Sequence, residues 1–182
     1  AGKINEELIR LIRANVRTPD EVEGDILAYV TANEVCARRL NETLDEFGLE
    51  DVQAIADHII DVSRRGMQQA IADLPNGTYR NEMRIDGYDE PVDLKVSLTI
   101  KGESIVIDFD GSSSASDRGI NLVLNYTRAY ASYGVRAIVA PDIPNNEGSL
   151  APVEVTAPLG SILNVERPAP VCARHIIGQF LP

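Results

Sequence analysis

The stretch VDLKVSLTIKGESIVIDFDGSS, residues 92–113, decides the architecture. Val92, Leu94, Val96, Leu98 and Ile100 alternate with mostly polar residues and so share one face of a strand. Lys101-Gly102-Glu103 reads as a hairpin turn, with Ser104 to Phe109 as the return strand. Residues 78–87 alternate just upstream, so three neighbouring segments predict an antiparallel meander. The stretch ends on Asp108-Phe109-Asp110-Gly111 and a run of serines, and the role of that acidic loop is the functional question.

Working outward, the period changes on the N-terminal side. Asn5 is placed to cap a first helix, with Ile4 and Ile9 as a hydrophobic staple and Leu8, Leu11 and Ile12 as its buried side. Thr18-Pro19-Asp20-Glu21 signals a second start: a cap, a proline at the first helical position and a glutamate completing a capping box. Ile26, Val30, Asn33, Ala37, Leu40, Leu44 and Phe47 then recur at spacings of four and three, until Gly48 stops the helix. A third helix carries Val52, Ile55, Ile59, Met67, Ile71 and Leu74 and ends before Pro75-Asn76-Gly77. The short junction at Gly48 predicts an antiparallel hairpin of helices two and three. On the C-terminal side, residues 120–139 are helical in content, entered at Asp117 or Gly119, and 152–157 is the best remaining strand. The fold class expected is α+β. An antiparallel helical region at 1–76 precedes a β-rich region at 77–182, an antiparallel meander with one long covering helix.

Composition limits the function. The 182 residues are 44% hydrophobic and 25% charged, which is globular. A net charge of −11 argues against binding nucleic acid or an anionic membrane, where Lys and Arg must neutralise phosphates. Cys36 and Cys172 stand far apart in unlike contexts; a disulfide is open, two reduced thiols fit better, and a cytoplasmic setting is expected. No apolar run reaches membrane-spanning length and the N-terminus lacks a signal-peptide pattern. The chain starts almost inside a helix and stops at Gly178-Gln-Phe-Leu-Pro182, so an excerpt of a longer polypeptide is expected.

The acidic loop admits three local readings. Residues 105–112 are close to the apolar-Asp-x-Asp-Gly-Thr signature of haloacid-dehalogenase phosphatases, with Asp108 as nucleophile and Asp110 as acid/base. That chemistry needs a downstream cation and acidic pair for phosphate and Mg²⁺. No lysine follows Lys101, and beyond Asp117 the acids Asp142, Glu147, Glu154 and Glu166 are all isolated. An EF-hand calcium loop fails on spacing and lacks its closing glutamate. The remaining reading is a solvated Ser/Asp/Gly turn leading from a strand to a helix.

Blocks spread along the whole chain point elsewhere. They are NVRTP (15–19), GDILA (24–28), LPNGTY (74–79), IDG (85–87), IDFDGSS (107–113), GIN (119–121), DIPNNEG (142–148), APLGS (157–161) and PAPV (168–171). In this order they resemble the middle-to-late part of the hydantoinase B/5-oxoprolinase family, the B-type subunits of ATP-dependent hydantoinases and their acetone and acetophenone carboxylase relatives. The resemblance implies ATP-dependent opening of a small cyclic amide. It also implies a divalent metal held by an upstream Asn/Asp/Gly/His-rich segment of the parent protein, ATP used by an A-type partner subunit of actin-like ATPase fold, and an oligomer. It offers no nucleophile role for Asp108, and no cofactor or metal site is expected within these residues.

The pocket candidates are Arg17, Asp108, Asp110, Ser112, Asn121, Arg174 and His175. Each has a structural alternative. Arg17 can make an ion pair beside its helix start, and Asp108, Asp110 and Ser112 can be turn residues or face a catalytic region. Asn121 can cap a helix or reach a ligand. Arg174-His175 leaves a proline-rich loop and suits an anion or simple packing. His58 reads as structural, Cys172 lacks an activating neighbour beyond Arg174, and Tyr126, Tyr130 and Tyr133 share a helix face suited to packing. The fragment is therefore expected to supply framework and one wall of an active site. The alternative is a non-catalytic domain that docks an ATPase partner through its helices, and the phosphatase is the remote third.

Overall fold

The computed structural model describes residues 3–182, which divide into two compact units, one ending at Ala54 and the other running from Ile55 to Pro182.

The first unit holds α1 (Glu6–Asn15) and α2 (Pro19–Phe47). The Asn5 side chain accepts from the Glu7 and Leu8 amides at 3.1 Å, the cap that the sequence implied. Ile9 is the buried residue of α1, whereas Leu8 and Leu11, expected on its inner side, are exposed, and so is the staple partner Ile4. The Thr18 capping box is not made: the Thr18 side chain bonds no amide, and Asp20 and Glu23 instead hold Arg13 of α1. Gly48 ends α2 in the left-handed conformation, and the Leu49 amide closes on the Leu44 carbonyl at 2.9 Å. No residue of α2 is buried.

The second unit is built on the stretch at 92–113. β1 (Gly77–Ile85), β2 (Val92–Lys101) and β3 (Ser104–Asp108) form the antiparallel meander, with Ile100 opposite Ile105 and Leu98 opposite Ile107. β4 (Val153–Thr156) then joins β3 in parallel, giving the order β1-β2-β3-β4. The chain reaches it by a crossover through α4 (Leu124–Val139) and the short α5 (Glu147–Leu150). A parallel neighbour needs such a crossover, which is why the meander stops at three strands.

Val92, Leu94, Ile100, Ile105, Ile107, Phe109 and Val155 form the sheet's buried face, joined by Ala131 and Val135 of α4. The later half of α3 (Gln53–Ala72) adds Met67 and Ile71 to this core, so that helix belongs with the sheet. Gly148 of α5 lies so close to α3 that a Cβ there would sit 1.9 Å from the Ile60 carbonyl oxygen, so only glycine allows the approach. The α4 helix begins at Leu124 rather than near Asp117 or Gly119. Leu122 exchanges backbone hydrogen bonds with Ile162 and Val165, which holds residues 120–122 buried and outside the helix.

Candidate functional site

Alternation places Lys95, Ser97 and Asp108 on the sheet face opposite the core. There the register aligns Arg80, Ser97, Asp108 and Thr156 in one row across all four strands. Arg80, Glu82, Lys95, Ser97, Asp108 and Asp110 line an open cleft of about 610 Å³.

The acidic loop is an extension of the β2–β3 ladder made with serine side chains. Ser112 Oγ accepts from the Lys95 amide at 3.0 Å and donates to the Lys95 carbonyl at 3.1 Å. Ser113 does similar work one pair along: its Oγ accepts from the Asp93 amide and its own amide donates to the Asp93 carbonyl, both at 2.9 Å. Gly111 makes the turn at φ +83°, a conformation that side chains disfavour, and the Lys95 stem lies over it. Buried Phe109 anchors the strand end, its amide donating to the Thr156 carbonyl at 3.0 Å. Asp108 Oδ1 accepts from Thr156 Oγ1 at 3.0 Å and from the Asp110 amide at 3.2 Å, which fixes its carboxylate. Among the described residues, the side chains of Arg80, Lys95, Glu82 and Asp110 make no hydrogen bond or ion pair, so the cleft presents two cations beside the carboxylates of Glu82, Asp108 and Asp110.

The flanking ion pairs are bidentate. Arg84 grips Asp93 at 2.6 and 2.7 Å, and Arg118 grips Asp89 at 2.8 Å twice. Hydrogen bonding from these guanidiniums, then their charge, holds the Asp93 and Asp89 carboxyls below the usual range.

Asn121 is fully buried and its amide is committed to backbone. Its Oδ1 accepts from the Ser116 amide at 2.7 Å, and its Nδ2 donates to the carbonyls of Ser116, Arg118 and Pro170 at 2.8–3.0 Å. It precedes α4 rather than starting it, and it ties the 116–118 turn to the segment carrying Arg174 and His175. The Arg174 guanidinium donates to the Val171 carbonyl and lies 5.4 Å from the Tyr126 ring, which stacks on Tyr130 at 4.6 Å. His175 opens the short α6 (His175–Gly178) and is exposed.

The sequence-derived candidates thus fall into separate groups. Asp108, Asp110 and Ser112 meet on one loop, Asn121 braces a second, Arg174 and His175 sit on a third, and Arg17 lies in the other unit. Arg80 and Lys95 were missed, although the alternation at 92–100 already placed Lys95 on the polar face. Among the described residues, no three His, Cys, Asp or Glu side chains converge as a metal-binding group. The described residues thus form no site for the divalent metal, which the family resemblance assigns to an upstream segment of the parent protein. Among the described residues, no helix is long and apolar enough to cross a membrane.

The hydantoinase B/oxoprolinase family profile matches residues 1–181. The chain belongs to that family. It is 34% identical over 98% of its length to the B-type subunit of a D-/L-hydantoinase from Pseudomonas sp. strain NS671. It is 27% identical over 90% of its length to the 5-oxoprolinase of Dictyostelium discoideum. Its fold superposes on the ATP-dependent caprolactamase of Pseudomonas jessenii with a TM-score of 0.84 over the whole chain at 25% identity. It matches nucleotide-free acetone carboxylase at 0.79 over 94% of the chain at 17% identity. The chain spans 32% of the hydantoinase relative and 13% of the 5-oxoprolinase. Family membership replaces the phosphatase reading of Asp108 and Asp110.

Proposed function

We propose that this chain forms part of the B-type subunit of an ATP-dependent cyclic-amide hydrolase, acting with an A-type ATPase subunit, and that its polar sheet face forms one wall of the active site. The family match over residues 1–181 carries the first half of this reading. The unpaired Arg80 and Lys95, which line one cleft with Asp110, carry the second. When ATP activates a ring amide, negative charge gathers on the amide oxygen and the phosphoryl group, and preorganised cations stabilise it. Lys95 and Arg80 suit that task, Asp110 can accept a proton or hydrogen bond from the ring N–H, and Asp108, Ser112 and Gly111 position the loop. The divalent metal and ATP belong to the rest of the assembly on this reading, and the 182-residue chain alone neither hydrolyses ATP nor opens 5-oxoproline.

The test uses the full-length subunit with its ATPase partner. Lys95→Ala and Asp110→Asn should each lower kcat/KM for ring opening about 10²-fold or more, the size seen when one preorganised polar group is lost from a reacting centre. Full activity in both variants removes the sheet face from the site.

A second reading has its own observation. α2 exposes Tyr29, Val30, Leu40 and Phe47 along a helix with no buried residue. On this reading the helical unit docks the ATPase subunit. Val30→Glu with Leu40→Glu should then abolish co-purification with that subunit while the helical circular dichroism is kept, and unchanged co-purification discards it.

A further inference from the structure

We propose that Thr156, at the end of β4, is a positioning residue for the reaction: its hydroxyl holds Asp108 and so fixes the turn that carries the Asp110 carboxylate. This role rests on the reading of the polar sheet face as an active-site wall, and every contact behind it lies within this chain.

β3 and β4 end side by side, with Asp108 opposite Thr156 in the parallel register. Ile107, Phe109 and Val155 belong to the core, so alternation puts the Asp108 and Thr156 side chains together on the opposite face. Asp108 Oδ1 takes two donors there, the Thr156 hydroxyl at 3.0 Å and the Asp110 amide at 3.2 Å. The second bond is a side-chain turn, in which an aspartate folds the backbone two residues on. By itself it leaves the carboxylate free to swing about a broad χ2, and the Thr156 donor stops that swing. The hydroxyl carries one proton, and its other acceptor, the Ile107 carbonyl, is farther away at 3.5 Å. Threonine is branched at Cβ, so its χ1 is restricted and little freedom is left to the donor.

The far end of the turn is tied separately. After Gly111, the Ser112 hydroxyl bonds the Lys95 amide and carbonyl at 3.0 and 3.1 Å. The turn therefore spans two anchors, a side chain of β4 and the backbone of β2. Asp110 lies between them, and its side chain makes no hydrogen bond or ion pair among the described residues. Its backbone alone decides where its carboxylate stands in the cleft, and the amide of that backbone is the group bonded to Asp108. The hydroxyl of Thr156 thus acts on Asp110 through Asp108, without touching the reacting atoms.

The experiment uses the full-length subunit with its ATPase partner and compares Thr156→Val with Thr156→Ser. The first keeps the shape and removes the hydroxyl; the second keeps the hydroxyl and removes the methyl. Thr156→Val should lower kcat for ring opening about 10–10²-fold, the scale of a slightly misplaced reacting group, with KM within about threefold of wild type. Thr156→Ser should stay within about threefold of the wild-type kcat, its deficit reflecting a freer χ1. A packing role reverses that order. Thr156→Ala against Thr156→Ser reads the same hydroxyl if the valine variant does not assemble. In an Asp110→Asn background, Thr156→Val should add less than about twofold, because residues that act as a unit are not additive. A fully active Thr156→Val, a Thr156→Ser slower than Thr156→Val, or a full further loss on top of Asp110→Asn overturns the inference. Asp110→Asn alone tells the two claims apart. If it slows turnover and Thr156→Val does not, the role of Thr156 falls and the wall stands; if it is fully active, the wall falls and the role of Thr156 falls with it.

Discussion

Replacing Asn121 should unfasten the loops around the candidate site and weaken the sheet unit. In Asn121→Ala one acceptor and one NH₂ group vanish, and the Ser116 amide and the carbonyls of Ser116, Arg118 and Pro170 lose their partner. At about 1 kcal/mol for each partner lost, and more where the group stays dry, the cost is about 3–5 kcal/mol. That is a large share of the ~5–15 kcal/mol that holds a typical domain. Asn121→Asp is nearly isosteric and sharpens the test, because it turns a donor toward three carbonyl oxygens into a carboxylate. At neutral pH it should cost more than the alanine variant. The buried carboxyl's folded pKa must rise above its unfolded value of ~3.9. A raised folded pKa means that the folded state holds the proton longer, so the deficit relative to wild type shrinks as pH falls from 7 to 4 and grows as pH rises. Urea unfolding followed by the tyrosine near-ultraviolet signal measures both, with a shift in midpoint at constant slope. An alanine cost below about 1 kcal/mol, the value of a single hydrogen bond, would refute the clamp, as would an aspartate variant whose deficit ignores pH.

Other expectations follow from single contacts. Gly148→Ala should cost about 1–3 kcal/mol or more in the same unfolding assay, because its methyl must displace the Ile60 carbonyl; an unchanged midpoint would show that α3 and α5 yield freely. Thr127→Val removes the hydroxyl that donates to the Leu163 carbonyl at 2.6 Å in a fully buried position, and should cost about 1–3 kcal/mol, less only if water enters. Arg118→Ala should bring the Asp89 titration midpoint, followed by its carboxyl carbon in NMR, up to the ordinary ~3.9. Since that carboxyl's folded pKa is depressed, the pair's contribution is present above the unfolded value and fades as pH falls through the folded one; an unmoved midpoint contradicts the pairing.

Local signals made much of this fold legible. The β2–β3 hairpin follows from strict alternation broken by Lys101-Gly102-Glu103, and Asn5 and Gly48 mark helix ends through side-chain and backbone chemistry that needs no distant partner. What could not be read depends on non-local contacts. β4 pairs in parallel with β3 because α4 returns the chain to the sheet's far edge, and no residue in Val153–Thr156 encodes that direction. Helical content at 120–123 was overridden when Leu122 bonded to Ile162 and Val165 and Asn121 bonded to Pro170. The acidic loop could be named but not interpreted, because Ser112 and Ser113 pair with β2 residues some twenty positions away. Lys95 was visible as a polar-face residue, but its place beside Asp110 required the register.

The central claim is that this chain belongs to the working B-type subunit of an ATP-dependent cyclic-amide hydrolase. The most direct measurement is to incubate the full-length subunit and its ATPase partner with 5-oxoproline, hydantoins and lactams, and to follow ring opening and ADP release together. The account predicts that at least one cyclic amide opens in step with ATP consumption, only when both subunits are present. ATP turnover that never couples to any ring opening, or ring opening indifferent to ATP, would contradict it.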